Sequence, residues 1–459
     1  MSYPRLFGTD GVRGIVNEFL TPENVLRLTL AIASYFGPGS RIIVGRDARA
    51  GNDFITHIVI GGLLASGIKV YYAGLTPTPA LQYYIKSTGG FDGGIMITAS
   101  HNPPQYSGIK VIASDGVELH REGEKEIEKI YHERRFRRVP WKQLSNDYAK
   151  VDDVNEHYIR GVVDLVDIDK IRSRNFRVVL DGANNVPSLT SPKILKHLGV
   201  KLITINTELS HIPNREPEPT PENLVYTSSI VRSMKADFGV AHDGDGDRAI
   251  FIDGKGRVLS GDRTAILLCK HIIEYRRDKG PKRVVTAVSS SMLVEEVLSK
   301  YGVEVVWTRV GSITIARTMM KMGAIAGFEE NGGFMYPPHH YVRDGGMAIA
   351  LMLEYLSYIR KSLTELIDEL PSRHIVKTKV PIRSREEAAK VVNKLKELYS
   401  KSRIIDIDGV KIIERDYWIL VRPSGTEPIL RVFVEASNEQ QANNILNNVL
   451  KFIREVLGR

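Results

Sequence analysis

The chain writes one short pattern three times. "RIIVGRDAR" from Arg41, "RVVLDGANN" from Arg177 and "RVVTAVSSS" from Arg283 each set a basic residue before a β-branched run and a loop. Behind each comes a helix-like segment that stops at a glycine and re-enters an apolar run. Those junctions are "LLASGIKVYY" at Gly67, "ILKHLGVKLI" at Gly199 and "VLSKYGVEVV" at Gly302. Glycine just past a helix end, followed by an apolar strand, marks an α-to-β connection. Strands separated by helices imply right-handed crossovers and parallel pairing. The pattern predicts three α/β domains in series, and a length of 459 residues suits three domains or four small ones.

Each unit supplies a further strand that ends in an unusual loop: "GGIMITASHNP", "ADFGVAHDGDGDR" and "GAIAGFEENGG". Ligands of open α/β sheets gather at the carboxyl ends of strands, so three equivalent loops could face one shared cleft. After Leu370-Pro371 the pattern changes. "YWILVRPSGTEPILRVFVEA", Tyr417 to Ala436, reads as two strands around a turn, and "NEQQANNILNNVLKFIREVL" reads as a closing amphipathic helix. The expected domains are 1–148, 149–252 and 253–371, all α/β, and a smaller α+β domain at 372–459.

Charge and composition narrow the partners. The net charge of +9 suits anionic ligands such as phosphates. The densest basic cluster, "RRFRRVPWK" from Arg134, reads as a solvated helix end running into a linker. There is no repeated aromatic interleaving and no zinc spacing, so no nucleic-acid partner is expected. A lone cysteine, Cys269, excludes an internal disulfide framework and fits a reducing cytosol. The start, "MSYPRLFGTD", lacks the blocks of a signal peptide, and the apolar stretch Ile58 to Leu75 is broken by glycines and Lys69. A cytoplasmic protein without a membrane partner is expected.

Four loops carry the chemistry. In "ITASHNPPQYSGIK" a serine, Ser100, stands beside His101. Neighbours on an extended strand point to opposite faces, which would leave His101 badly placed as a base for Ser100. No glycines flank the serine as in a hydrolase elbow, so the stretch favours a loop serine over a triad. "DGDGDR" offers Asp243, Asp245 and Asp247 at alternate positions. Converging carboxylates are costly without a cation, and hard oxygen ligands suit magnesium. A calcium loop is excluded by Arg248 at its sixth position and Gly254 at its twelfth. "RPSGTEP" places Arg422, Ser424, Gly425 and Thr426 in one turn, where a guanidinium, hydroxyls and backbone N–H groups can hold a phosphate. "FEENGG" presents Glu329 and Asn331, an acceptor and an amide suited to sugar hydroxyls. No nucleotide-binding glycine fingerprint appears, which suggests phosphoryl transfer through the serine itself.

Together these motifs resemble the α-D-phosphohexomutase family: phosphoglucomutases, phosphomannomutases and phosphoglucosamine mutases. The resemblance runs from "FGTDGVRG" through "TASHNP", "DGDGDR" and "EENGG" to "RPSGTEP", in the family's order and over essentially the whole chain. It implies four domains around a central cleft and a serine phosphorylated in the resting enzyme. Carried over by position, Ser100 is the phosphoserine, and Asp243, Asp245 and Asp247 hold magnesium together with a Ser100 phosphate oxygen. Glu329 and Asn331, with Gly311, fall at the sugar-binding positions, and Arg422, Ser424, Gly425 and Thr426 at the site for the non-reacting phosphate. Arg13, His101, Lys110 and Arg248 fall where the family places cationic or proton-transferring groups. Lys110 is the expected proton carrier among them, because arginine stays protonated. The implied reaction interconverts hexose 1-phosphate and 6-phosphate through a bound hexose 1,6-bisphosphate, which also serves as activator.

The chain departs from the family in the sugar loop. Many relatives read Gly-Glu-x-Ser-Gly-His, whereas Phe328, Asn331 and Gly333 stand at the first, fourth and sixth positions. Asn331 in place of serine points to glucose or mannose substrates, with phosphoglucosamine mutase as the alternative. "RDGG", Arg343 to Gly346, recurs in the family, and capping the following helix is a sufficient reason for it. A non-catalytic hexose-phosphate binder would share the cleft, but the intact Ser100 and three aspartates argue against loss of catalysis. A phosphatase would share the serine and the metal and release free phosphate.

Overall fold

A computed structural model describes residues 5–146, 148–278, 280–425 and 427–459. Its three α/β domains repeat one sheet. In each, the strand opening the repeated unit (Arg41–Arg46, Arg177–Asp181, Arg283–Ala287) pairs in parallel with the strand behind the glycine junction, Lys69–Leu75, Lys201–Ile205 or Glu304–Thr308. On its other side it pairs in parallel with Gly93–Ile97, Phe238–His242 or Ala326–Phe328. An antiparallel strand follows in each case: Tyr106–Ala113, Ala249–Asp253 or Phe334–Met335. Gly67, Gly199 and Gly302 sit at φ 76°, 76° and 71°, the left-handed conformation that ends a helix without a Cβ penalty.

The first sheet gains two edges. Val12–Ile15 runs antiparallel to Tyr106–Ala113, and Tyr148–Lys150 pairs with Lys69–Leu75. The sheet therefore continues past the boundary expected at residue 148. The boundary expected at 252 likewise falls one residue inside the strand Ala249–Asp253, because that strand completes the second sheet.

The second and third domains share one core. The helices Gly261–His271 and Gly345–Ile359 pack with Tyr158, Val178, Phe251, Val284 and Phe328. Gly345–Ile359 is buried almost all round, as an apolar helix between two sheets must be. The first domain has its own core, around Ile32, Val44, Ile95 and Ile127.

The fourth domain is a five-stranded antiparallel sheet, ordered His374–Pro381, Ile429–Ala436, Tyr417–Pro423, Val410–Ile413, Arg403–Ile405. The helices Arg385–Leu398 and Glu439–Leu457 pack on it. It docks on the third domain through Lys411. That ammonium lies 4.2 Å from the ring of Trp307 and 4.1 Å from that of Trp418, and donates to the Ser290 carbonyl at 2.6 Å. Among the described residues no helix is long and apolar enough to cross a membrane.

Candidate active site

The three unusual loops leave equivalent strands. Ser100 follows Gly93–Ile97, Asp243 follows Phe238–His242, and Glu329 follows Ala326–Phe328. Each strand lies between the opening strand of its unit and the antiparallel one, so the repeat itself brings the loops to corresponding places.

Ser100 leaves the strand in a sharp turn, with φ 52° in the left-handed region that side-chain-bearing residues rarely adopt. The expectation drawn from an extended strand therefore fails. Ser100 and His101 face the same way, with Ser100 Oγ 3.3 Å from His101 Nδ1. Three groups hold the turn. The Ser100 N–H donates to Thr98 Oγ1 at 2.9 Å, and Arg49 donates to the carbonyls of Ser100, Asn102 and Pro103. Arg13 donates to the Ala99 carbonyl at 3.1 Å and to Asn102 Oδ1 at 2.8 Å. None of these bonds uses the Ser100 hydroxyl, which instead donates to Asp243 Oδ2 at 2.7 Å. Arg248 donates to His101 Nδ1 at 2.9 Å. Burial, then the charge of Arg248, keeps this imidazole well below its ordinary pKa. It is a neutral ring whose Nδ1 is the acceptor.

Asp243, Asp245 and Asp247 are buried, with ligand oxygens within 4.8 Å of one another. Gly244 allows the close approach of the first two loops, since a Cβ there would stand 2.5 Å from the Ser100 carbonyl. Burial, then the neighbouring Asp247 and Asp245, pushes the Asp243 carboxyl well above the usual range. For Asp245 burial acts the same way, but the Lys110 ammonium and the Thr78 hydroxyl outweigh it and hold the pKa low. Lys110 Nζ lies 2.8 Å from Asp10, 2.9 Å from Asp245 and 3.5 Å from Asp247. These carboxylates overcome the effect of burial and raise its pKa. Lys110 thus pairs with the acidic loop through three carboxylates. Asp245 Oδ1 and Asp247 Oδ1 are buried without hydrogen-bond partners. An all-oxygen set with two such orphaned atoms fits a hard divalent cation such as magnesium.

The sugar loop closes on itself and on the metal domain. Glu329 N–H donates to the Gly333 carbonyl, and Asn331 Oδ1 accepts from Gly333 N–H at 3.2 Å. The Gly332 carbonyl accepts from Ala249 N–H, on the strand behind the metal loop. Glu329 is buried, and Arg343 donates to its Oε2 at 2.9 Å. Arg343 also reaches Asp247 at 2.5 Å and Asp10 at 3.1 Å. Helix capping explains only its neighbour: Asp344 accepts from Met347 N–H, whereas the Arg343 side chain belongs to the site. Asp10, Arg49, Thr78 and Arg343 are the residues missed by reading the sequence. For the two arginines charge balance was the available signal, because the three aspartates and Glu329 call for more cations than Arg13, Lys110 and Arg248.

Asp408 links Arg422 to Val310, the neighbour of Gly311, across the border of the third and fourth domains. Arg422 donates to Asp408 Oδ2 at 3.0 Å, and the same oxygen accepts from the N–H of Val310 at 3.2 Å. Gly311 comes next and opens the helix Ser312–Met322. In the turn, Ser424 N–H donates to the Ile429 carbonyl and Ser424 Oγ accepts from Glu427 N–H at 3.3 Å. Gly425 is in the same turn, and Thr426 lies outside the described residues.

The chain matches four family models in order. They are phosphoglucomutase/phosphomannomutase alpha/beta/alpha domain I over residues 4–138, domain II over 156–256, domain III over 260–374, and the C-terminal domain over 378–452. A phosphoglucosamine/phosphogalactosamine mutase of Sulfurisphaera tokodaii is 52% identical, covering 98% of this chain and 99% of its own. A phosphoglucomutase/phosphomannomutase of Thermococcus kodakarensis is 39% identical over 99% of both chains. A phosphoglucomutase/phosphomannomutase family protein from Burkholderia thailandensis shares the fold, with a TM-score of 0.85 over 98% of this chain and 97% of its own, at 23% identity. Matches in every domain, at these identities and over full length, show that the chain belongs to the α-D-phosphohexomutases, enzymes that transfer a phosphoryl group within a sugar phosphate.

Proposed function

We propose that the chain interconverts hexose 1-phosphates and 6-phosphates with Ser100 as the phosphoryl carrier, in the cytoplasm. The observation that carries this reading is the Ser100 hydroxyl, 2.7 Å from Asp243 at the edge of the aspartate triad. In the proposed cycle a free sugar hydroxyl attacks phosphoserine. The new P–O bond forms as the bond to Ser100 Oγ breaks, the proton of the sugar hydroxyl ends on Ser100 Oγ, and a hexose 1,6-bisphosphate results. The bisphosphate turns round in the cleft, and its other phosphate returns to Ser100 Oγ. Asp243, Asp245 and Asp247 would hold magnesium, which offsets charge on the phosphoryl oxygens when bound. Arg13 and Arg248 supply fixed positive charge beside Ser100, Lys110 balances the triad, and His101 is a neutral acceptor within reach of the hydroxyl. Glu329, Asn331 and Gly311 bind the sugar. Arg422, Ser424, Gly425 and Thr426 take the phosphate that is not reacting.

Two sugar readings have support. Asn331 in the sugar loop favours glucose and mannose. The 52% identity to a phosphoglucosamine/phosphogalactosamine mutase, against 39% to a phosphoglucomutase/phosphomannomutase, favours 2-amino sugars. We infer that glucosamine 1-phosphate is a substrate alongside the neutral hexoses. Turnover of glucose, mannose and glucosamine 1-phosphates, measured with magnesium and a bisphosphate primer, checks this. Activity confined to the neutral sugars would remove the amino-sugar reading, and activity on none would remove the mutase itself.

A mutase must bind its sugar in two orientations while one grip holds the idle phosphate. Arg422→Ala is therefore expected to lower kcat/KM for the 1-phosphate and the 6-phosphate alike, by about 10- to 100-fold for a lost charge-assisted bond. The substitution also removes the pairing with Asp408, so a small fall in Tm should accompany it. Kinetics in both directions provide the measurement. A loss in one direction alone would end the shared-grip model and the reorientation step.

A further inference from the structure

We infer that Arg343 is the positioning residue for Glu329, occupying the space that Gly333 leaves open in the sugar loop. The inference rests on the mutase reading above.

Two independent observations support it. The first is volume. A Cβ placed on Gly333 would stand 2.3 Å from Arg343 Cδ and 2.8 Å from Cγ, closer than real contacts allow. Gly333 has no positive φ, so its backbone does not require glycine. The arginine stem runs through the space that a side chain at 333 would fill. The second is charge. The guanidinium joins Glu329 from the third domain at 2.9 Å, Asp247 from the second at 2.5 Å and Asp10 from the first at 3.1 Å. Its two terminal nitrogens divide the work: Nη1 donates to Glu329, and Nη2 donates to Asp247 and Asp10. Burial pushes the Glu329 carboxyl up, and Arg343 is the chief group acting against this. Without that cation, Glu329 would lose its fixed orientation and part of its charge as an acceptor for a sugar hydroxyl. The same arginine ties the sugar-binding carboxylate to the acidic triad, so the two halves of the site are held in register.

The test is a cycle of Arg343→Ala, Gly333→His and the double variant, each measured for Tm and for kcat and KM with glucose 1-phosphate and glucosamine 1-phosphate. Arg343→Ala is expected to lower kcat about 100-fold with a smaller change in KM, since orientation is lost more than binding. Gly333→His should lower both Tm and kcat in the wild-type background, where the arginine stem blocks it. In the Arg343→Ala background it should leave Tm unchanged and cost no further kcat, a non-additivity expected of two residues sharing one space. A folded Arg343→Ala enzyme with wild-type kcat overturns the inference, and so does a histidine equally harmful in both backgrounds. If Arg343→Ala does not fold, Gly333→Ala in the intact chain carries the test, and wild-type kcat there overturns it. The Tm cycle is read whether or not the wild type turns over sugar phosphates. An inactive wild type thus counts against the mutase reading, and additive Tm changes count against the shared space.

Discussion

Ser100→Ala is expected to lower turnover by roughly 10⁴- to 10⁶-fold, the range seen when a covalent nucleophile is removed. The fold should not change. The turn is held through the Ser100 backbone by Thr98 and Arg49, and those bonds survive the substitution. Alanine meets the same left-handed strain that serine already bears at φ 52°. The hydroxyl itself is lost, and Asp243 Oδ2 loses the donor that now faces it at 2.7 Å. Intact-mass measurement of the purified protein should show phosphate on the wild type and none on the variant. Near-normal turnover by Ser100→Ala, or phosphate retained on it, would sink the phosphoserine mechanism.

Much of the architecture was legible because its signals are local. Gly67, Gly199 and Gly302 each end a helix in the conformation glycine permits, and the strands around them pair in parallel as crossovers require. The convergence of Asp243, Asp245 and Asp247 was legible for a related reason. Alternate residues in a short glycine-rich turn stay close whatever surrounds them. Properties set by tertiary contact were not legible. Whether Ser100 and His101 point apart or together depends on one φ angle, which Arg49 supports from outside the loop. The pairing of Lys110 with Asp10, Asp245 and Asp247 joins two domains, and no local spacing shows it. Arg343 stands beside a true helix cap, Asp344, and the cap alone accounted for its motif. Its three carboxylate partners come from three domains, and no spacing along the chain announces them.

Chelation of divalent ions is expected to abolish turnover, and magnesium to restore it. The physical reason is the state of the acidic loop without a cation. Burial and mutual repulsion drive Asp243 to hold a proton, while Asp245 Oδ1 and Asp247 Oδ1 have no partner. A divalent ion displaces that proton and occupies the orphaned oxygens, so magnesium should bind more tightly as pH rises. Binding to the folded chain alone stabilises it, by about 2.7 kcal/mol at a hundred times Kd, and a rise in Tm with magnesium should report this without any assay of activity. Asp245→Asn separates the ion from the fold. Thr78 can still donate to the amide oxygen, and Lys110 keeps Asp10, so the metal-free variant should melt close to the wild type. Its magnesium-dependent rise in Tm should shrink, and its turnover should fall at least ~100-fold, because one ligand charge is gone. Full turnover in chelator would refute the metal site outright. A variant that keeps both the magnesium shift and its activity would take Asp245 out of the ligand set and leave its carboxylate only the pairing with Lys110.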